Sequence, residues 1–329
     1  MESIALPTLS ELREHKFMNA KRPGLFPLAL IAIAALPALV GVALAQSAAP
    51  STPAATKPTK TTVTPPAQTL SVEQAQGLVR SSPKDPASYL ALGSAYRRAG
   101  RPKDALQAFQ KMAALAPNAS ITHVSLGAVY MDLKRPSDAL KEFKQAIKLD
   151  PNDGAAHYNL GNYYVQEGRR DDATASYRRA TELTPPIPDA WVSLGLIQAE
   201  LGKSDEAIAD YKKALAIDST NVRALCNLGN SQYGMGRISE ATALYRKALK
   251  IDPRSQEAIY NMGVAFADAQ IYREAINYWQ RVVAIDSTAV IAQSARSSIQ
   301  VLQEFLDQQK ASTTPQRSST PPGQPTGSH

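Results

Sequence analysis

The chain has 329 residues, 44% of them hydrophobic but only 6% aromatic, a balance that suits small and aliphatic side chains packed between helices and argues against an aromatic-rich β-sandwich. The net charge of +7 is spread through the chain, basic residues alternating with acids. This supports solubility, leans towards acidic partners or anionic surfaces, and argues against a nucleic-acid-binding stripe. The single cysteine, Cys226, excludes an internal disulfide and any cysteine-based zinc knuckle.

Residues 1–23 are polar and carry Arg13, Lys16, Lys21 and Arg22; the run from Leu25 to Ala45 has no charge. Ala43-Leu44-Ala45 then offers small residues in the A-x-A pattern of a signal cleavage site. A basic start, an apolar core and a small-residue exit describe a secretory signal, with either Met1 or Met18 as its start. The same run is also long enough to cross about 30 Å of hydrocarbon as an uncleaved anchor. Either role for residues 1–45 places the remainder on the periplasmic or other extracytoplasmic side of a membrane. Residues 46–69 are rich in Pro, Thr, Ala and Ser and read as a disordered linker; residues 311–329 have the same character and read as a disordered tail.

Between these segments the sequence repeats every 34 residues. Gly93, Gly127, Gly161, Gly195, Gly229 and Gly263 share one register. An alanine follows twelve places later, from Ala105 to Ala275, and an aromatic sixteen places later: Phe109, Phe143, Tyr177, Tyr211, Tyr245 and Trp279. In the third unit, GAAHYNLGNYYVQEG has the periodicity of one amphipathic helix and RRDDATASYRRATELT that of a second. Gly168 separates the two, as Gly100, Gly202 and Gly236 do in other units, supplying the left-handed backbone of a helix C-terminus. Lys134 and Gln270 hold that place in the remaining units and predict less favourable turns. An acid stands near the start of each second helix (Asp104, Asp138, Asp172, Glu206, Glu240, Glu274), where the helix dipole favours it. Pro117, Pro151, Pro185 and Pro253 close four units; Ser219 and Ser287 predict softer boundaries. The small residues predict close approach of two helices, and the aromatics predict filling between units.

These residues resemble the tetratricopeptide repeat family, whose pattern is W-x2-L-G-x2-Y…A-x3-F…P over 34 residues. The first unit supplies Tyr89, Leu92, Gly93, Tyr96, Ala105, Phe109 and Pro117, and the fourth Trp191, Leu194 and Gly195. His123, His157, Leu225 and Ile259 stand at the tryptophan place, and Gln198 and Gln232 at the tyrosine place. The resemblance implies an all-α, right-handed α-solenoid of six helix-turn-helix repeats: 86–119, 120–153, 154–187, 188–221, 222–255 and 256–289. Residues 70–85 read as an N-terminal half-repeat. Residues 290–310 read as a C-terminal capping helix, with Ile291, Ala295, Ile299, Leu302 and Leu306 facing the last unit.

In this family the first helix of each unit lines a peptide-binding groove. By position the resemblance nominates Tyr158, Asn159 and Asn162 in the third unit. It nominates Asn227, Asn230 and Tyr233, beside Cys226, in the fifth, and Tyr260 and Asn261, beside Val264, in the sixth. Asn159, Asn227 and Asn261 are equivalent and would form a partial amide ladder able to pair with any peptide backbone. No lysine occupies the places used to clasp a C-terminal carboxylate. Ile121, Val124, Met131, Val192 and Leu196 predict apolar groove walls in the second and fourth units, suited to a hydrophobic peptide or helix. His123 and His157 lack companions at metal-ligand spacing, and Cys226 lacks a histidine base, so no metal, cofactor or catalytic residue is expected. The expected function is a non-catalytic scaffold of the cell envelope that binds peptide segments of partner proteins and no nucleic acid, touching membrane only through its N-terminal segment. The alternative is a substrate-presenting or regulatory subunit of an envelope enzyme or secretion complex.

Overall fold

The structure, a computed structural model, describes residues 70–313, with side chains to residue 310. The expected signal or anchor, the linker and the tail beyond residue 313 lie outside the described residues. Among those described, the secondary structure is entirely helical, and no helix is long and apolar enough to cross a membrane. The fold is an all-α solenoid of helix hairpins, and the chain divides into two compact units at Pro253/Arg254.

The first unit opens with α1 (Val72–Ser81), started by a reciprocal capping box between Ser71 and Gln74. Five hairpins follow: α2 (Pro86–Arg98) with α3 (Pro102–Leu115), α4 (Ser120–Asp132) with α5 (Pro136–Leu149), α6 (Gly154–Gln166) with α7 (Arg170–Glu182), α8 (Pro188–Glu200) with α9 (Ser204–Ile217), and α10 (Val222–Gly234) with α11 (Ile238–Ile251). We call the first helix of each hairpin A and the second B. Proline at the first turn of α2, α3, α5 and α8 costs no hydrogen bond, because those N–H groups have no partner within the helix. The second unit contains the hairpin α12 (Gln256–Asp268) with α13 (Tyr272–Ile285), then α14 (Val290–Thr313).

One contact recurs in every hairpin. The aromatic ring of helix B sits directly against the glycine of its own helix A. A Cβ on Gly161, Gly195, Gly229 or Gly263 would stand 2.5–2.6 Å from Tyr177, Tyr211, Tyr245 or Trp279, and one on Gly93 or Gly127 would overlap Phe109 or Phe143. Three of these rings also reach the next hairpin. Phe109 clusters with Leu126 and Val129, Phe143 with Leu160 and Tyr163, and Tyr177 with Leu194 and Ile197. These three aromatics therefore close their own hairpins as well as filling the space to the next. The alanine of helix B is fully buried in all six repeats.

The turn inside each hairpin is also uniform. Gly100, Gly168, Gly202 and Gly236 have φ of 68–75°, and Lys134 and Gln270 take φ of 58° and 63° without glycine's freedom. Around each, two backbone bonds close a Schellman motif, as in Gly168 N–H to Val165 O at 3.0 Å and Arg169 N–H to Tyr164 O at 2.8 Å. In the first three hairpins the residue after the turn is an arginine whose guanidinium lies over the tyrosine that ends helix A. Arg101 covers Tyr96, Arg135 Tyr130 and Arg169 Tyr164, at 4.5–4.6 Å. Each Nε also donates to the acid at the start of helix B: Asp104, Asp138 and Asp172, at 2.7–2.8 Å. The acids thus do more than meet a helix dipole; they pin the arginine that shields the turn.

Where proline is missing, the boundary is tied rather than soft. Asp218 accepts from the Thr220 N–H and hydroxyl at 2.9 and 2.7 Å, and Asp286 accepts from Thr288 in the same way at 2.8 and 2.7 Å. The Thr288 contacts hold the Asp286 carboxyl below its ordinary range. In the second unit, α14 buries Ala292, Ala295 and Leu302, half-buries Ile291 and Ile299, and sets Phe305 edge-on to Tyr272. It caps the last hairpin with one face and exposes the other.

Two substitutions of the same kind should have opposite signs. Gly195→Ala, despite alanine's helix propensity, should lower stability by about 1–3 kcal/mol, because Tyr211 must move. Gly234→Ala, whose new Cβ meets nothing within 4 Å, should raise it by about 0.5–1 kcal/mol. Lys134→Gly should also stabilise, by about 1 kcal/mol, by relieving a left-handed lysine. Urea midpoints of the three variants test these signs.

Candidate peptide-binding face

The nominated residues sit on the A helices. In α6, Tyr158, Asn159 and Asn162 are all half-buried. Asn159 donates from Nδ2 to the Ala155 carbonyl, one turn back, at 2.8 Å. Asn162 accepts from the Tyr177 hydroxyl at 2.7 Å. In α10, Asn230 accepts from the Tyr245 hydroxyl at 2.8 Å, and Asn227 and Tyr233 are half-buried nearby. The aromatics against the glycines of these hairpins are tyrosines, and their hydroxyls end on an amide of the same hairpin. Where α9 carries Tyr211, the equivalent of Asn162 is Leu196, so the pairing is specific to the third and fifth repeats. The amide oxygens of Asn162 and Asn230 are therefore committed inward. Fixing each oxygen also fixes the side of the amide plane on which its Nδ2 donors lie.

Tyr260 and Asn261 lie on α12 in the second unit. Tyr260 is only 9% exposed; it packs at 6.0 Å from Trp279, its carbonyl accepts from the Trp279 indole at 3.1 Å, and its hydroxyl lies 3.4 Å from Ser298 of α14. Asn261 is half-buried.

The expected apolar walls take a different role. Val124 is buried against Ala146 and Ala156, and Val192 and Leu196 are buried against Ala207, Ile208 and Leu228. These side chains fill the joints between hairpins and offer no apolar groove; only Ile121 and Met131 keep part of their surface. Cys226 is fully buried. His123 and His157 act as struts. His123 Nε2 lies 2.8 Å from the Pro117 carbonyl and His157 Nε2 3.0 Å from that of Pro151, and His123 Nδ1 lies 2.7 Å from Glu142. Among the described residues no His, Cys, Asp or Glu cluster is placed to hold a metal.

Cross-links between hairpins fix the spacing of this face within the first unit. Arg97 of α2 pairs with Asp132 of α4, Arg170 of α7 with Glu200 of α8, and Asp189 of α8 accepts from Asn221 and Arg223 at 3.3 Å. These pairings were not anticipated from sequence. Each joins residues about one repeat apart, and only the stacked register shows that they meet.

Comparison with known families is consistent with this geometry. A model described as the cilia and flagella-associated protein 70 C-terminal domain, a tetratricopeptide-repeat domain, matches residues 38–298. The chain belongs to this tetratricopeptide-repeat family. None of the curated proteins compared with the chain matches it. Among solved structures, the Cut9–Hcn1 hetero-tetramer of the APC/C aligns with a TM-score of 0.61 at 16% identity, covering 72% of this chain and 46% of that one. This repeat protein thus corresponds to about half the length of that structure. PilF of Pseudomonas aeruginosa aligns with a TM-score of 0.53 at 17% identity, over 67% of this chain and 99% of its own. MamA is 31% identical over 50% of this chain and 95% of its own, with a TM-score of 0.40. The first two likenesses establish the fold.

Burial pushes the Tyr177 phenol well above its ordinary range, and nearby Tyr158 adds to the shift. The unfolded chain then loses this proton first, so the stability tied to Tyr177 is intact below about pH 10 and is lost as pH rises further. Urea midpoints should hold level to about pH 9 and fall above pH 10, with a shallower fall in Tyr177→Phe. An equal slope in both proteins would remove Tyr177 as the cause.

Proposed function

We propose that the protein is a non-catalytic scaffold that holds peptide segments of partner proteins on its A-helix face, with α6 and α10 as the principal contacts. Tetratricopeptide repeats are in general a protein-interaction fold rather than a catalytic one, which supports the broad reading. The observation that carries the finer one is the paired arrangement Tyr177–Asn162 and Tyr245–Asn230. A buried hydroxyl holds each amide in one orientation, and ordering these side chains in advance lowers the entropy lost on binding. Amide donors suit peptide carbonyls, so recognition would follow the ligand backbone more than its side chains.

The N-terminal sequence supports a cell-envelope setting, with residues 46–329 exported and either released by cleavage or tethered by Leu25–Ala45. In the alternative role, as a presenting or regulatory subunit of an envelope enzyme or secretion complex, an active partner would co-purify in fixed stoichiometry.

Affinity capture with the full chain, from cells expressing it at native level, tests the proposal. Asn162→Ala/Asn230→Ala should lose a captured protein that the parent retains. Tyr177→Phe, which frees the Asn162 amide without deleting it, should weaken capture less. Equal capture by all three proteins, with equal helicity, would move the binding face elsewhere.

A further inference from the structure

Position by position, the charge of the first unit is not dispersed as the sequence suggests. The outward face of the B helices repeats at two adjacent places in each hairpin. Lys144 of α5, Arg178 and Arg179 of α7, Lys212 and Lys213 of α9, and Lys247 of α11 fall at these places in four successive helices, and all six are exposed. One turn before them stand Lys141, Ala175, Ala209 and Ala243; two of the six cations pair with an acid of their own helix, Arg179 with Glu182 at 3.2 Å and Lys213 with Asp210 at 3.0 Å. Other acids of these helices stand at their first turns, where Asp138 and Asp172 hold the turn arginines. Folding thus sorts a mixed sequence into a cationic stripe, one or two charges per hairpin, on a face that no other described helix covers.

Exposed aliphatic side chains accompany the stripe. Four residues after Lys213 stands Ile217, and four after Lys247 stands Ile251, each 39% exposed; Leu115, 41% exposed, holds the same relation to Lys111 of α3. Side chains four apart share a helix face. Long cationic arms beside exposed aliphatic residues, with the Trp191 ring half-buried beneath Lys213 rather than open, match the chemistry of a bilayer interface. There ammonium and guanidinium groups meet lipid phosphates while the aliphatic tips enter the headgroup layer. An acidic peptide would require no aliphatic tips, and a nucleic-acid strand would favour aromatic stacking. The apolar run Leu25–Ala45 ends close to the solenoid in sequence, since residues 46–69 span at most about 80 Å even fully extended.

We infer that the B-helix stripe of the first unit docks onto the surface of an anionic bilayer, leaving the A helices turned away from the lipid and open to protein partners. Docking is electrostatic, so it weakens with salt, and it does not depend on the peptide contacts proposed above.

The test compares the full chain on vesicles of pure phosphatidylcholine and on vesicles with one-third phosphatidylglycerol. Any insertion of the N-terminal run contributes to both, so the ratio of the two affinities isolates the stripe. The ratio should exceed about tenfold at low salt and approach one at high salt. In Lys144→Gln/Arg178→Gln/Lys212→Gln/Lys247→Gln it should fall by at least about tenfold, with helicity and thermal midpoint unchanged. Asn162→Ala/Asn230→Ala should leave it as in the parent. A parental ratio near one, or an unchanged ratio in the quadruple variant, overturns the inference. So does binding of soluble polyglutamate in preference to anionic vesicles, which would assign the stripe to an acidic polypeptide.

Discussion

The hairpins depend on the absence of one atom. At each A-helix glycine there is no room for a Cβ, because the B-helix aromatic already occupies that volume. Glycine inside a helix costs about 1 kcal/mol relative to alanine. Here that cost admits a buried ring that touches two hairpins at once, a larger gain than alanine's helix propensity could offer. The buried alanine of helix B keeps the second side of the contact thin. Once these three positions are set, the crossing of the two helices and the place of the next hairpin follow, and the same solution recurs at a fixed period because each hairpin leaves its successor the same surface.

The turns obey a second constraint. A left-handed residue must end each A helix, and the carbonyls there must be paired. The Schellman bonds accomplish this in all six hairpins, whether the residue is glycine, lysine or glutamine. In the first three, tyrosine, arginine and aspartate form a small closed group over the turn, combining a ring contact with a charged hydrogen bond. In the fourth, fifth and sixth, Gln198, Gln232 and Phe266 replace the tyrosine and Glu206, Glu240 and Glu274 replace the aspartate. Lys203 and Ile271 replace the arginine in the fourth and sixth, while Arg237 remains in the fifth and donates to Gln232 at 3.2 Å.

Much of this was readable from sequence because it rests on local periodicity. Gly161, Tyr177 and Gly168 announce a helix, its partner and the turn between them without knowledge of the fold. What escaped depends on register between hairpins or on how far a side chain is consumed by packing. Val192 and Leu196 look like groove walls on a helical projection, yet a solenoid needs apolar joints, and those side chains become the joints. Arg97 and Asp132 lie 35 residues apart, and only stacked hairpins bring them together. The cationic stripe escaped for the same reason: in sequence order acids separate its members, and only the stacked register lines them up. Asn162 was nominated for a ligand, and its partner Tyr177 was known only as a core ring; the hydroxyl that links core to surface has no signature in periodicity.

That link bears on how a uniform scaffold becomes selective. Phe109 and Phe143 satisfy the packing rule with no polar atom, so their hairpins place nothing in particular on the surface. Tyr177 and Tyr245 satisfy the same rule but carry a buried hydroxyl that needs an acceptor, and Asn162 and Asn230 supply it. An unpaired buried hydroxyl costs about 1–3 kcal/mol, and in these two hairpins an asparagine meets that demand while its amide is held still, whereas Tyr211 faces Leu196 at the same place. Trp279 meets the same demand differently, donating to the Tyr260 carbonyl within its hairpin and leaving Val264 at the place equivalent to Asn162. The aromatic at one buried position and the residue facing it on helix A together decide whether a hairpin presents an ordered amide, an aliphatic side chain or neither. Recognition can vary from hairpin to hairpin while the backbone repeat stays constant.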